Sequence, residues 1–183
     1  ISLHTYIMER KLLLEIIHDC VGKGKWSFME DGIINTSKKY KIYGYRHAGH
    51  SFIIDSINSY FKNNLKLLEP EIYKDIFLKN THIYTKPKDE APTKYTDHSN
   101  VKKVLAANGC IIKGQVENCI LFRGVKIDKE AVVKNSIIMQ KSIIKKECSI
   151  NYGILEKMVN ISAGKQLQGD YNSPIIINKN NII

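Results

Sequence analysis

Between Leu105 and Leu167 an aliphatic residue returns every five or six positions: Leu105, Ile111, Val116, Leu121, Ile127, Val133, Ile138, Ile144, Ile150, Leu155, Ile161 and Leu167. An amphipathic helix places apolar residues at i, i+3, i+4 and i+7, and a half-buried strand alternates strictly, so this period fits neither. It fits the hexapeptide class of parallel β-helix, in which three short strands and three corners make one coil. The stretch reads as rows of 17 residues, NCILFRGVKIDKEAVVK from Asn118, NSIIMQKSIIKKECSIN from Asn135 and YGILEKMVNISAGKQLQ from Tyr152, each divided six, six and five. The row before Asn118 is shorter, and the array covers nearly four coils.

The first residue of each hexad is a branched aliphatic, and the fifth is small or medium, as at Val125, Ala131, Ser142, Cys148 and Val159. Both positions are expected to point inward, where coils stacked at roughly 4.8 Å pile like residues into columns. The remaining positions hold Lys, Glu, Asp and Asn and are expected to face water. A coil cannot bury its own top and bottom, so such arrays need neighbours and caps.

The net charge of +10 is spread over the chain, and lysines on solvent positions of stacked strands keep sheet edges from pairing with other chains. Nucleic-acid binding is therefore not expected. No apolar run approaches 18 residues, so neither a membrane span nor a signal peptide is expected. The chain opens Ile-Ser-Leu without a Met, which reads as the interior of a longer protein. Cys20, Cys110, Cys119 and Cys148 show neither a CxxC nor a zinc-site spacing, and reduced cytoplasmic thiols are the default.

Ahead of the repeat, Tyr6 to Met8 reads as a strand end and Leu12 to Val21 as a helix stopped by Gly22 and Gly24. Lys38 to Gly49 alternates like a strand, and Ser51 to Ile54 reads as a short buried one. Asp55 or Ser56 is placed to cap a helix through Leu68, and Pro70 to open another from Glu71 to Lys79. Residues 82–100 hold Pro87 and Pro92 among charges without periodicity and read as an extended connector. After the coils, Ile175 to Ile177 and Ile182-Ile183 offer a last strand pair or cap. The expected organisation is an α/β segment over residues 1–81, a linker over 82–100, and a β-helix with its cap over 101–183.

Several motifs in this order, FMEDGII at Phe28 to Ile34, SINSYFKNNLKLL at Ser56 to Leu68, IYTKPKDEAPTK at Ile83 to Lys94 and the NCILFRGVKI row, resemble glucose-1-phosphate adenylyltransferase (ADP-glucose pyrophosphorylase). The closest resemblance is to the C-terminal half of the D-type subunit of bacterial glycogen synthesis, which is regulatory and non-catalytic. That resemblance implies a left-handed parallel β-helix after the remnant of a nucleotidyltransferase domain. The family makes ADP-glucose and pyrophosphate from ATP and glucose 1-phosphate with magnesium, and usually works as a tetramer. Its Gly-rich nucleotide loop and its glucose-phosphate Lys lie upstream of Ile1.

Two departures fall inside this sequence. Catalytic subunits carry a magnesium-binding Asp in a G-Y-W-x-D-[IV]-G-T motif, and the aligned residue here is Ile53, whose hydrocarbon side chain cannot serve a cation that wants oxygen. In the family's H-D-F-G-x-D-I-I-P motif, which helps hold the sugar, the first Asp falls on Ser27. The resemblance also implies a basic corner that binds sugar-phosphate effectors, and it maps onto Arg123 and Lys126. No catalytic residue and no metal site are expected in this chain.

The expected function is that of a regulatory or assembly subunit that partners a catalytic subunit of ADP-glucose pyrophosphorylase in a homo- or hetero-oligomer, without cofactor of its own. An active adenylyltransferase whose active-site half lies upstream is the alternative. A hexapeptide acyltransferase is the more distant one, because such enzymes use a His base and all six histidines here lie outside the repeat.

Overall fold

A computed structural model describes residues 2–79, 83–85 and 87–183. The chain divides into two compact units, residues 1–51 and 52–183. The expected boundary at 81/82 falls on residues outside those described.

The second unit is a parallel β-solenoid with three faces. Face A stacks β1 (Lys94–Tyr95), β3 (Ile111–Ile112), β5 (Lys126–Ile127), β8 (Ile143–Ile144) and β11 (Asn160–Ile161), about four turns from first to last. Two long strands, β2 (Asn100–Ala106) and β4 (Gln115–Leu121), each cross the other two faces. Below them face B continues through β6 (Val132–Lys134), β9 (Ser149–Asn151) and β12 (Gln166–Gln168). Face C continues through β7 (Ile137–Ile138), β10 (Gly153–Leu155) and β13 (Ile175–Ile177).

The register is the repeat made visible. Ile112, Ile127, Ile144 and Ile161 align on face A, Val116, Val133 and Ile150 on face B, and Leu121, Ile138, Leu155 and Ile177 on face C. All are buried, and each such side chain contributes about 1.5–3 kcal/mol by leaving water. The expected small inward positions, Val125, Ala131, Ser142, Cys148 and Val159, are buried as well. Ser142 donates its hydroxyl to the Glu156 carbonyl at 2.8 Å, which satisfies a polar group inside the stack.

The first coil departs from the expected columns. Leu105 pairs with Ile120, and Ala106, not Leu105, stands over Leu121. Likewise Ile112, not Ile111, stands over Ile127. A slip of one residue sends a side chain to the opposite face of a strand, so Leu105 and Ile111 leave the inner columns.

Corners are made by residues in the left-handed region, one per corner. Lys103, Asn118, Asn135 and Tyr152 form one line of corners, Gly109, Gly124, Lys141 and Met158 a second, and Glu130, Glu147 and Gly164 a third. Most of these are not glycine, and each non-glycine residue there costs about 1–2 kcal/mol that the stacked ladders offset.

Helix α2 (Ile57–Lys66) lies on the outer side of face C. Ser56 is its N-cap, accepting from the Ser59 amide at 3.1 Å while the Ser59 hydroxyl receives the Ser56 amide. Phe61 and Leu65 are buried against Ile137 and Ile154. Those isoleucines precede inward residues in the pairs Ile137-Ile138 and Ile154-Leu155, so the doublets serve two cores at once. Helix α3 (Pro70–Phe77) follows, with the proline in its first turn.

In the first unit helix α1 (Arg10–Gly22) packs with a π-helical turn at Phe28–Ile34. The expected strands near Tyr6 to Met8, Lys38 to Gly49 and Ser51 to Ile54 do not form. Tyr43, Tyr45, Ile53 and Ile54 are exposed, and alternation without a neighbouring strand leaves the ladder groups to water. All four cysteines are free. Among the described residues no helix is long and apolar enough to cross a membrane.

Candidate functional site

The turn Leu121-Phe122-Arg123-Gly124-Val125-Lys126 carries the chain from face C to face A. Leu121 and Val125 point inward and are buried, which leaves Arg123 half-buried at the corner and Lys126 exposed at the start of β5. Gly124 supplies the left-handed residue, at φ 68°. The next coil adds Lys141, whose amide donates to the Arg123 carbonyl at 2.9 Å and whose Cγ lies 3.5 Å from where a side chain on Gly124 would begin.

A carboxylate shares the corner. The Glu90 Oε2 atom lies 4.0 Å from the same position on Gly124 and fills the space a side chain on Gly109 would take. Two glycines stacked in one line of corners thus admit the Glu90 carboxylate to the corner that Lys141 also lines. Arg123, Lys126 and Lys141 thus fall on or beside one corner of the solenoid, with the Glu90 carboxylate at the same glycines. The sequence signal for Lys141 was its place 17 residues beyond Gly124, one full row. Nothing in the segment around Glu90 repeats, so its position was not legible.

The aligned magnesium position sits elsewhere. Ile53 is exposed, and its backbone carbonyl accepts from Asn63 Nδ2 at 2.9 Å. The nearby Asp55 carboxylate accepts from the Ser56 hydroxyl at 3.1 Å and supports the capped end of α2, and hydrogen bonds from Ser59 and Ser56 hold its pKa below the usual value. The oxygen set a magnesium ion needs does not fit this segment. Among the described residues, no three His, Cys, Asp or Glu side chains gather as ligands.

In the first unit Ser27 caps the π-helical turn, accepting from the Glu30 amide at 3.2 Å. The Asp31 carboxylate accepts from the Ser27 amide at 3.2 Å and pairs with Lys25 at 3.5 Å. Both residues are occupied with local structure.

Residues 90–173 match the family model described as GlmU-like, C-terminal hexapeptide. Over 178 residues, 97% of this chain, the sequence is 39% identical to the glycogen biosynthesis protein GlgD of Bacillus subtilis (strain 168). The chain is a homologue of the GlgD and glucose-1-phosphate adenylyltransferase proteins. A second GlgD, from Geobacillus stearothermophilus, is 41% identical over 72% of the chain. A glucose-1-phosphate adenylyltransferase of Fervidobacterium nodosum is 28% identical over 83% of it. These alignments cover 52%, 38% and 44% of the respective relatives, so the chain spans about half the length, or less, of the GlgD and adenylyltransferase proteins it matches. The solenoid described above is the hexapeptide part of that relationship.

Proposed function

We propose that this chain belongs to a regulatory or assembly subunit of glucose-1-phosphate adenylyltransferase in glycogen biosynthesis. It works in the cytoplasm in a hetero-oligomer with a catalytic subunit that binds magnesium and makes ADP-glucose. The observation that carries this reading is Ile53. Where the resemblance calls for a carboxylate ligand there is a hydrocarbon side chain, and the nearest acid, Asp55, is committed to the end of α2. A subunit built this way acts through its partner. The three-faced solenoid offers flat strand faces for assembly, and the basic corner of Arg123, Lys126 and Lys141 is where a sugar-phosphate effector would bind.

The test of assembly is to mix the full-length protein with the catalytic glucose-1-phosphate adenylyltransferase of the same source and follow mass by light scattering during size-exclusion chromatography. A mixed oligomer is expected. Two proteins that elute independently at working concentration would contradict the proposal. For the effector corner, crystals soaked in sulfate are expected to hold an anion against Arg123 or Lys126, and Arg123→Gln is expected to remove it.

A further inference from the structure

A groove of about 400 Å³ opens beside the first coil of the solenoid, between the turn joining α2 to α3 and strand β2. Its walls are Leu68, Tyr73 and Leu78 on the helical side, with Val104 and Leu105 on the strand side. Leu105 is the residue turned out of the inner column by the register of the first coil. It begins an outward aliphatic line that runs from Leu105 through Ile120 and Ile137 to Ile154. Helix α2 buries Ile137 and Ile154 under Phe61 and Leu65, and at Leu105 that cover gives way to the groove. The groove therefore continues an apolar interface already formed within the molecule.

Two further features select what fits it. Strand β2 pairs with β4 and with no other strand among the described residues, so among these residues its second edge presents N–H and C=O groups that no ladder takes up. The lining also includes Lys74 and Lys103 and no acidic residue. Both lysines are exposed, and among the described residues neither has a carboxylate within ion-pair distance. Neighbouring solenoid lysines differ: Lys102 and Lys134 flank Glu117 at 3.7 and 3.6 Å, and Lys113 reaches Asp128 at 3.5 Å.

We propose that the groove bounded by Leu68, Tyr73, Val104 and Leu105, with Lys74 and Lys103 at its rim, docks an extended segment of a partner protein that alternates apolar and acidic residues. The segment adds to the free edge of β2, seats its apolar side chains between the helices and Leu105, and presents its carboxylates to the two lysines. An extended segment suits this edge better than a helix, which could not use the strand's free backbone groups. The apolar seats supply affinity, and the two lysines set the sign of charge the partner must carry.

The experiment uses the whole chain and two fluorescein-labelled hexapeptides, one alternating Leu and Glu and the other Leu and Lys, followed by fluorescence anisotropy. The acidic peptide is expected to bind and the basic one to bind at least about tenfold more weakly. Lys74→Glu combined with Lys103→Glu is expected to weaken the acidic peptide by about tenfold and to strengthen the basic one. Lys165→Glu, at the opposite end of the solenoid, is expected to change neither. Circular dichroism of each variant verifies that the coils are intact. Equal binding of both peptides, binding unaffected by the double reversal, or no binding of the acidic peptide at millimolar concentration would overturn the proposal. None of these outcomes depends on the adenylyltransferase reading, which stands or falls on the mixed oligomer.

Discussion

The side-chain amide of Asn118 donates to that of Asn135 across one coil, Nδ2 to Oδ1 at 2.8 Å, and both residues hold left-handed backbones at φ 54° and 46°. Asn135 passes the ladder on to Asn151 at 2.9 Å. Asparagine is the side-chain-bearing residue that best tolerates this conformation, and here its amide also ties successive corners together.

Asn135→Leu loses both hydrogen bonds and places a branched side chain at positive φ. The expected cost is about 2–4 kcal/mol in urea unfolding, and Asn135→Gly, which keeps the backbone at ease, is expected to cost about 1–2 kcal/mol. If leucine is tolerated as well as glycine, the corner is not strained as described.

The inner columns make a sharper contrast between neighbours. Ile144 is fully buried on face A and Lys145 beside it is exposed. Ile144→Asp buries an unpaired carboxylate and is expected to cost several kcal/mol, roughly 3 or more, whereas Lys145→Asp is expected within about 0.5 kcal/mol of the parent. Equal melting temperatures for the two variants would remove this register.

The thiol of Cys119 reports the dryness of the core by its titration. Burial among apolar groups pushes its pKa up from 9.0 to about 12. Below about pH 9 the thiol is protonated in both folded and unfolded chains and adds no pH dependence. Between about 9 and 12 the unfolded chain releases a proton that the folded chain keeps, so stability falls as pH rises, by at most ~1.4 kcal/mol per unit from this group. Cys119→Ala is expected to flatten that decline relative to the parent in thermal melts from pH 8.5 to 10.5. Identical slopes would mean that the thiol ionises in the folded state.

How far the sequence could be read follows from where the repeat holds. Ile127, Ile144 and Ile161 were legible because rows of constant length keep like residues in one column. In the first coil the step from Ile112 to Val116 spans four residues, and steps of five and six miss so short a corner, which is why Leu105 and Ile111 were expected inside. Helices α1 and α2 were legible from apolar spacing and from the Ser56 cap. That α2 belongs with the solenoid was not, although the doublets at Ile137-Ile138 and Ile154-Leu155 carried the signal of a sheet covered on both sides. Strand-like alternation over Lys38 to Gly49 gave no strand, because pairing is a property of two segments and only one is present among the described residues. At the candidate corner Arg123 and Lys126 came from the resemblance, whereas Lys141 and Glu90 needed the coil to be stacked.

The proposed role is that of a subunit that acts on a catalytic partner and performs no adenylyl transfer itself. The direct measurement is ADP-glucose formation from ATP, magnesium and glucose 1-phosphate, by the full-length protein alone and then mixed with the catalytic subunit of the same source. Adenylyl transfer needs magnesium to bridge the phosphates, and the Ile53 side chain offers no carboxylate for that task. The account predicts no turnover above background alone, and in the mixture a changed rate or effector response of the catalytic subunit. Full activity of the protein by itself, with Ile53 in place, would contradict it.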